Sequence, residues 1–191
     1  TIVLTDDDCE QMAAISADAP RMSWAAVLYG TAQYSNHTID LTAKQSFLIC
    51  YPLDRIPAGQ RITKAEWIVP YSQVSPAGGV RLKVRRILNE WGAGVSHQYR
   101  TIRPQRAEWH TPGARGVGQD RAAEATATAT IQGAGVHAFN VTEDVELWYT
   151  GAAANHGWIL SAEDQDVFVR LPSPFWGAPK GWKLRITFEP E

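Results

Sequence analysis

Cysteine is scarce in this chain, with only Cys9 and Cys50 among 191 residues. A multi-disulfide framework is excluded. A single Cys9–Cys50 bond would close a loop of about 40 residues and stabilise by roughly 4 kcal/mol on the chain-entropy account. Two small buried thiols are the open alternative. Long apolar runs are missing as well; the longest are a few residues, far short of the roughly 20 that cross a bilayer. No segment joins a basic start, an apolar stretch and a small-residue cleavage site. Low-complexity and long charged tracts are absent, which argues for a folded chain. Motifs that carry chemistry are lacking too: no G-x-S-x-G, no H-E-x-x-H, no C-x-x-C. "GARGVG", Gly113 to Gly118, has spaced glycines but no Lys-Ser/Thr and no helical pattern after it, so it does not read as a phosphate loop. Five histidines stand singly, at 37, 97, 110, 137 and 156. His97 and His110 share an Arg-rich segment with Tyr99, residue types from which a lyase could draw a base, an acid and a cation. Nothing in their spacing goes further, and a non-enzyme is expected.

What is present is 45% hydrophobic sequence of a length that suits one domain, residues 1–191, with a sizeable core. The chain opens on Thr1, and a piece of a longer protein is expected. The net charge of −2 hides segregation: nine Lys/Arg face three acids between Arg81 and Arg121. Acids gather at Asp6, Asp7, Asp8, Glu10 and Asp18, and again at Glu143, Asp144, Glu146, Glu163, Asp164 and Asp166. Such asymmetry can attract an anionic partner, or it can be satisfied internally, basic strand faces pairing with acidic neighbours. The overall balance gives little non-specific pull on a polyanion, and no nucleic-acid module is legible. No nucleic-acid partner and no membrane are expected.

Hydrophobic periodicity favours strands. "QSFLICYPL" alternates Phe47, Ile49, Tyr51 and Leu53 against Leu48 and Cys50, and Pro52 ends the strand or marks an edge. "RITKAEWIVPY" sets Ile62, Lys64, Glu66 and Ile68 against Thr63, Ala65, Trp67 and Val69. "GGVRLKVRRIL" points Val80, Leu82 and Val84 inward and Arg81, Lys83 and Arg85 outward. "ATATATI", "GVHAFNV", "GWILS", "DVFVRL" and "WKLRITF" supply further strands. "NVTEDVELWYTG" reads as a short helix, with Asn140 or Thr142 as cap, Glu143 and Asp144 at its positive end, and Gly151 closing it. Many short strands joined by Gly/Pro-rich turns, with one small helix, predict an all-β fold: an antiparallel β-sandwich of jelly-roll type.

The order of motifs resembles the DNRLRE-type domains of bacterial and archaeal secreted and surface proteins, and the related carbohydrate-binding module family ninety-six. The likeness runs from about Ile15 to Phe188. It rests on "DAPRMSWAAVLYG", "SFLICYPLDRIPAGQRITKAEWIV", "VRLKVRRILNEWGAG", "WHTPGARGVGQD" and "HAFNVTEDVELWYTGAAANHGWIL". The chain departs from the family at Cys50-Tyr51-Pro52, where Arg-Phe-Asp is frequent, and at Tyr99, near a position often held by Trp. The resemblance implies that Trp91, Trp109 and Trp148 anchor the fold.

Function follows as an expectation: a non-catalytic, monomeric module, covalently joined to catalytic or surface domains, secreted or at the cell surface, that binds a polysaccharide. Sugars are held by stacked aromatics and by Arg, Asn, Gln and Asp hydrogen bonds, and the chain carries eight Trp and six Tyr. Trp24, Trp176 and Trp182, unmatched by the family pattern and in or beside loops, are the candidate platforms, with Tyr99. Arginine forks fit carboxylate and sulfate. Arg81, Lys83, Arg85, Arg100 and Arg103 are therefore the candidate charged contacts, with Arg106 nearby. The resemblance points to a uronic-acid polymer such as alginate. Asp6, Asp7 and Asp8 offer the hard oxygens that a structural calcium prefers, or simply a solvated acidic turn. The alternative to a glycan binder is a structural or adhesive spacer with no glycan ligand.

Overall fold

A computed structural model describes residues 1–23, 38–172 and 181–191. Fourteen strands and one helix are described. In chain order the strands are β1 (Ile2–Thr5), β2 (Gln11–Ser16), β3 (Thr38–Thr42), β4 (Gln45–Cys50), β5 (Gln60–Tyr71), β6 (Gln73–Ser75) and β7 (Val80–Arg86). They continue with β8 (Tyr99–Thr101), β9 (Ala107–Glu108), β10 (Ala127–Ile131) and β11 (Gly135–Asn140). The helix α1 (Thr142–Tyr149) then precedes β12 (Trp158–Ala162), β13 (Phe168–Pro172) and β14 (Lys183–Pro190).

Two curled antiparallel sheets face one another. The smaller has the order β1-β14-β5-β11; the larger runs β10-β7-β12-β4-β3-β13-β6, with β2 also paired to β4. The all-β sandwich with one short helix expected from periodicity is the observed fold. β7 points Val80, Leu82 and Val84 inward, each at most 1% exposed, and β14 buries Leu184 and Ile186 in the same way. β4 ends at Cys50, two residues before Pro52, and is covered on both faces. Phe47 and Ile49 enter the core between the sheets, while Leu48 and Cys50 enter a second cluster on the outer side of the larger sheet. β5 departs from strict alternation. Its register against β14 shifts at Thr187/Phe188, so Ile62 and Ala65, three apart, both reach the core. One extra residue at a bulge reverses which face a strand presents.

The helix forms where the sequence places it. The Asn140 side-chain oxygen accepts from Thr142 N at 3.1 Å and from Thr142 Oγ1 at 2.6 Å. Thr142 Oγ1 in turn accepts from Ala65 N at 2.9 Å, tying the helix start to β5. Gly151, at φ 73°, ends it, a left-handed position that glycine takes without a Cβ clash.

The described tryptophans lie in the two apolar clusters. Trp67 of β5 stacks on Trp158 of β12, centroids 5.8 Å apart and planes 14° from parallel. Trp148 of α1 lies 4.7 Å from Trp158, and Trp182 lies 5.0 Å from Phe47. Offset and tilted ring pairs of this kind add to simple area burial, and they bolt the two sheets and the helix together.

Candidate ligand site

The segment from Leu88 to Asp120 is a cap on the outer face of the larger sheet. Trp91, Val95, Trp109 and Ala114 pack onto Ala13, Ile15, Leu48 and Ile159, the outward residues of β2, β4 and β12. Both indoles of the cap are 3% exposed. Trp91 Nε1 donates to His156 O at 2.8 Å and Trp109 Nε1 to Ser96 O at 2.9 Å. The glycine-rich loop that follows is folded around one carboxylate. Asp120, 1% exposed, accepts from His110 N at 2.8 Å through one oxygen, and from Thr111 N at 2.8 Å and Gly116 N at 3.0 Å through the other. These bonds satisfy backbone donors that no strand pairs.

Beyond the edge of the cap the outer face turns cationic. Lys83 and Arg85 of β7 and Arg121, just past the loop, all reach Glu163. Lys83 Nζ lies 2.6 Å from one carboxylate oxygen, and Arg121 Nη1 lies 3.3 Å from the other, which Arg85 also contacts. Burial pulls the Glu163 carboxyl up. The Lys83 hydrogen bond and the charges of Arg85, Arg121 and Lys83 outweigh it and hold the group below the ordinary 4.5. Arg81 pairs with Asp164 at 3.5 Å. The internal pairing of basic strand and acidic neighbour is thus what this face shows. A pocket of about 230 Å³ opens beside Glu163, lined by Ser46, Arg115, Arg121, Ser161 and Gln165 among others. Arg115, also in the lining, donates to the backbone oxygen of Ala43.

The remaining candidates are spread elsewhere. Trp182 is 0% exposed, and its Nε1 donates to Pro172 O at 2.9 Å. It is a core residue rather than a sugar platform, because its ring packs on Phe47 and Trp67 between the sheets. Trp24 and Trp176 lie outside the described residues. Tyr99, in β8, is half-buried with the Arg106 guanidinium 5.0 Å from its ring centroid. Arg100 Nη1 donates to Glu90 O at 2.6 Å, and Arg103 is exposed in the turn between β8 and β9. Those arginines lie on the β8–β9 hairpin, whereas Lys83 and Arg85 belong to the Glu163 group.

Asp6, Asp7 and Asp8 form a single 3-10 turn in which Asp6 is buried. Asp8 Oδ2 accepts from Thr5 N at 2.8 Å, and its Oδ1 lies 2.6 Å from Arg55. Among the described residues no group of three or more His, Cys, Asp and Glu side chains is placed to hold a metal ion. Cys9 and Cys50 are free thiols, each pushed up to about 12 chiefly by burial. The histidines of the cap come together: His97 and His110 line a pocket of about 360 Å³ with Gln98, Glu108 and Trp109. Burial, then the Arg115 charge, lowers His97 from the ordinary 6.5.

Sequence reasoning missed Glu163, Arg121, Arg115 and Ser161 as one group. A partial signal existed: in "GWILS" the inward set Trp158 and Leu160 leaves Ser161 facing out, on the same side as Lys83. No family model matches the chain, and no curated protein is similar to it at the level of sequence.

Proposed function

We propose that the chain is a non-catalytic β-sandwich module of a larger secreted or surface protein, and that it binds an acidic polysaccharide, a uronic-acid polymer such as alginate, through charge rather than through stacked indoles. The observation that supports this reading is the cationic group on the outer face of the larger sheet. Lys83, Arg85 and Arg121 share one carboxylate, Glu163, and Arg115 lines the same pocket. Four cations against Glu163 and the nearby Asp120 still leave a surplus of positive charge, and guanidinium forks match the planar carboxylate of a uronic acid. The six described tryptophans are all at most 7% exposed, so none of them offers a stacking platform.

Affinity electrophoresis of the whole chain tests the reading. Alginate in the gel should retard it, a neutral glucan should not, and added salt should weaken the effect, since exposed charges are screened over about 10 Å at 0.1 M. Retardation by single-stranded DNA as strong as by alginate would make the patch a general polyanion surface and reject the glycan. A second reading, a structural or adhesive spacer, is favoured by the same burial, which leaves the described indoles inside two cores. No retardation in any gel supports the spacer.

A further inference from the structure

We propose that the pocket beside Glu163 is an oxyanion subsite, taking a single carboxylate or sulfate group onto Arg121, Arg115 and Ser161, with Glu163 as the protein's own competing anion. The identity of the polymer that carries the group rests on the reading above; the anion site does not.

Several buried donors around Glu163 lack acceptors. Ser161 is 4% exposed, and its hydroxyl has no hydrogen-bond partner. The Arg121 and Arg85 side chains are each 12% exposed, and in both the Nε–H is buried without a partner. Buried polar groups are nearly always hydrogen-bonded, and each exception calls for an explanation. Here Ser161 and Arg121 line the same pocket, and the Arg85 head group contacts the same carboxylate as Arg121. One occupant rich in acceptors would answer the orphan donors of Ser161 and Arg121, which line the pocket.

Charge selects the kind of occupant. Glu163 already receives Lys83, Arg85 and Arg121, and Arg115 adds a fourth cation on the pocket rim. A neutral hydroxyl ligand would leave that surplus untouched, and a cation would add to it. Burial first, then the charges of Arg85 and Arg115, hold Arg121 below the ordinary guanidinium range against the opposing pull of Glu163 and Asp120; a further anion would ease the repulsion among the three arginines. A pocket of about 230 Å³ has room for a carboxylate or sulfate with several waters, at about 30 Å³ per water. Arg115, which contacts Ala43 O, is the fourth cation and lines the same pocket.

Glu163 makes the inference testable, because its removal acts oppositely in the two cases. If the cations serve only structure, Glu163→Gln weakens the fold and no small anion repairs it. If they form an anion site, the variant loses its resident carboxylate and gains affinity for an external one. The measurement is thermal unfolding and calorimetric titration of the whole chain with glucuronate and with inorganic sulfate, against glucose and against chloride at matched ionic strength.

The expected result has three parts. Glucuronate and sulfate raise the unfolding temperature of the parent chain, and glucose does not. Glu163→Gln binds both several-fold more tightly. Ser161→Ala and Arg115→Ala stay folded and bind several-fold more weakly. Equal shifts in parent, Ser161→Ala and Arg115→Ala, or no shift in the parent, would overturn the site, and both substitutions can be read even if Glu163→Gln does not fold. The two proposals fail separately. Small anions binding at the pocket without retardation by alginate would sink the polysaccharide and keep the subsite. Alginate retardation unchanged in Ser161→Ala and Arg115→Ala would sink the subsite and keep the polysaccharide.

Discussion

Asp120 holds three backbone N–H groups, those of His110, Thr111 and Gly116, in a loop without strand pairing. Asp120→Ala leaves those donors without their acceptor inside a nearly closed site, and at roughly 1–3 kcal/mol per lost charged bond, not fully additive, we expect a loss of about 3 kcal/mol. Asp120→Asn keeps the shape but turns an amide donor toward at least one of the same N–H groups, for a loss of about 2 kcal/mol. Gly116 is needed for the same reason: a Cβ there would stand 2.6 Å from Asp120 Oδ2, so Gly116→Ala must push the carboxylate off its donors. Urea midpoints of the three variants check this; values within error of the parent would show that the loop does not depend on Asp120. At the acidic turn the expectation is different. Asp8 is committed to Thr5 and Arg55, so EDTA should leave the unfolding temperature unchanged; a fall on chelation, reversed by calcium, would restore the metal read from Asp6, Asp7 and Asp8.

At the scale of the element, α1 is tied to the sandwich by Asp144. This side chain, 7% exposed, accepts from Trp158 Nε1 at 2.7 Å and from Thr126 Oγ1 at 2.6 Å, and faces Arg86 at 3.8 Å. Read from sequence, Asp144 is an acid at a helix N-terminus; in the fold it is the buried acceptor joining α1, β12 and Thr126, the residue before β10. Asp144→Ala leaves Arg86 without its counter-charge and Trp158 without an acceptor, and we expect a loss of about 3 kcal/mol, against about 1 kcal/mol for Thr126→Val. Equal, small effects of both on the urea midpoint would contradict that role. The contrast shows what was legible. β7 and β14 were, because one face of each meets the core and the other meets solvent, which writes a period of two into the residues. β2 was not: Met12 and Ala14 face one cluster while Ala13 and Ile15 face the other, so "QMAAIS" has no alternation to read. The β5 bulge was hidden because it depends on the partner strand. The basic face of β7 was visible, but its partner Glu163 becomes a neighbour only once β12 pairs with β7.

The molecule as a whole carries two cores on one sheet, and its ionisable groups are set so that acid and alkali both oppose the fold. The Thr5 backbone N–H, then further contacts from Thr5 and Arg55, hold Asp8 below its ordinary 3.8. Glu163 sits below 4.5 for the reasons already given. Burial is the first cause that lowers His97 and His156 below 6.5. A group whose pKa is depressed in the fold takes its proton first in the unfolded chain. Its contribution is therefore complete above the unfolded value and lost as pH falls through the folded one. Acidification should act in two stages, the histidines weakening the protein from 6.5 downward and the carboxylates from 4.5 downward. The thiols act in the other direction. Burial raises Cys9 and Cys50 from 9.0 to about 12, so the unfolded chain ionises first and stability declines as pH rises above 9.0. The urea midpoint against pH should thus show a plateau between 6.5 and 9.0 with a limb on each side. Glu163→Gln should flatten the lower part of the acid limb, and Cys9→Ser with Cys50→Ser should flatten the alkaline one. An acid limb unchanged by Glu163→Gln would mean that the three cations gathered on that carboxylate do not hold it ionised, and the cationic face would then lose its electrostatic centre.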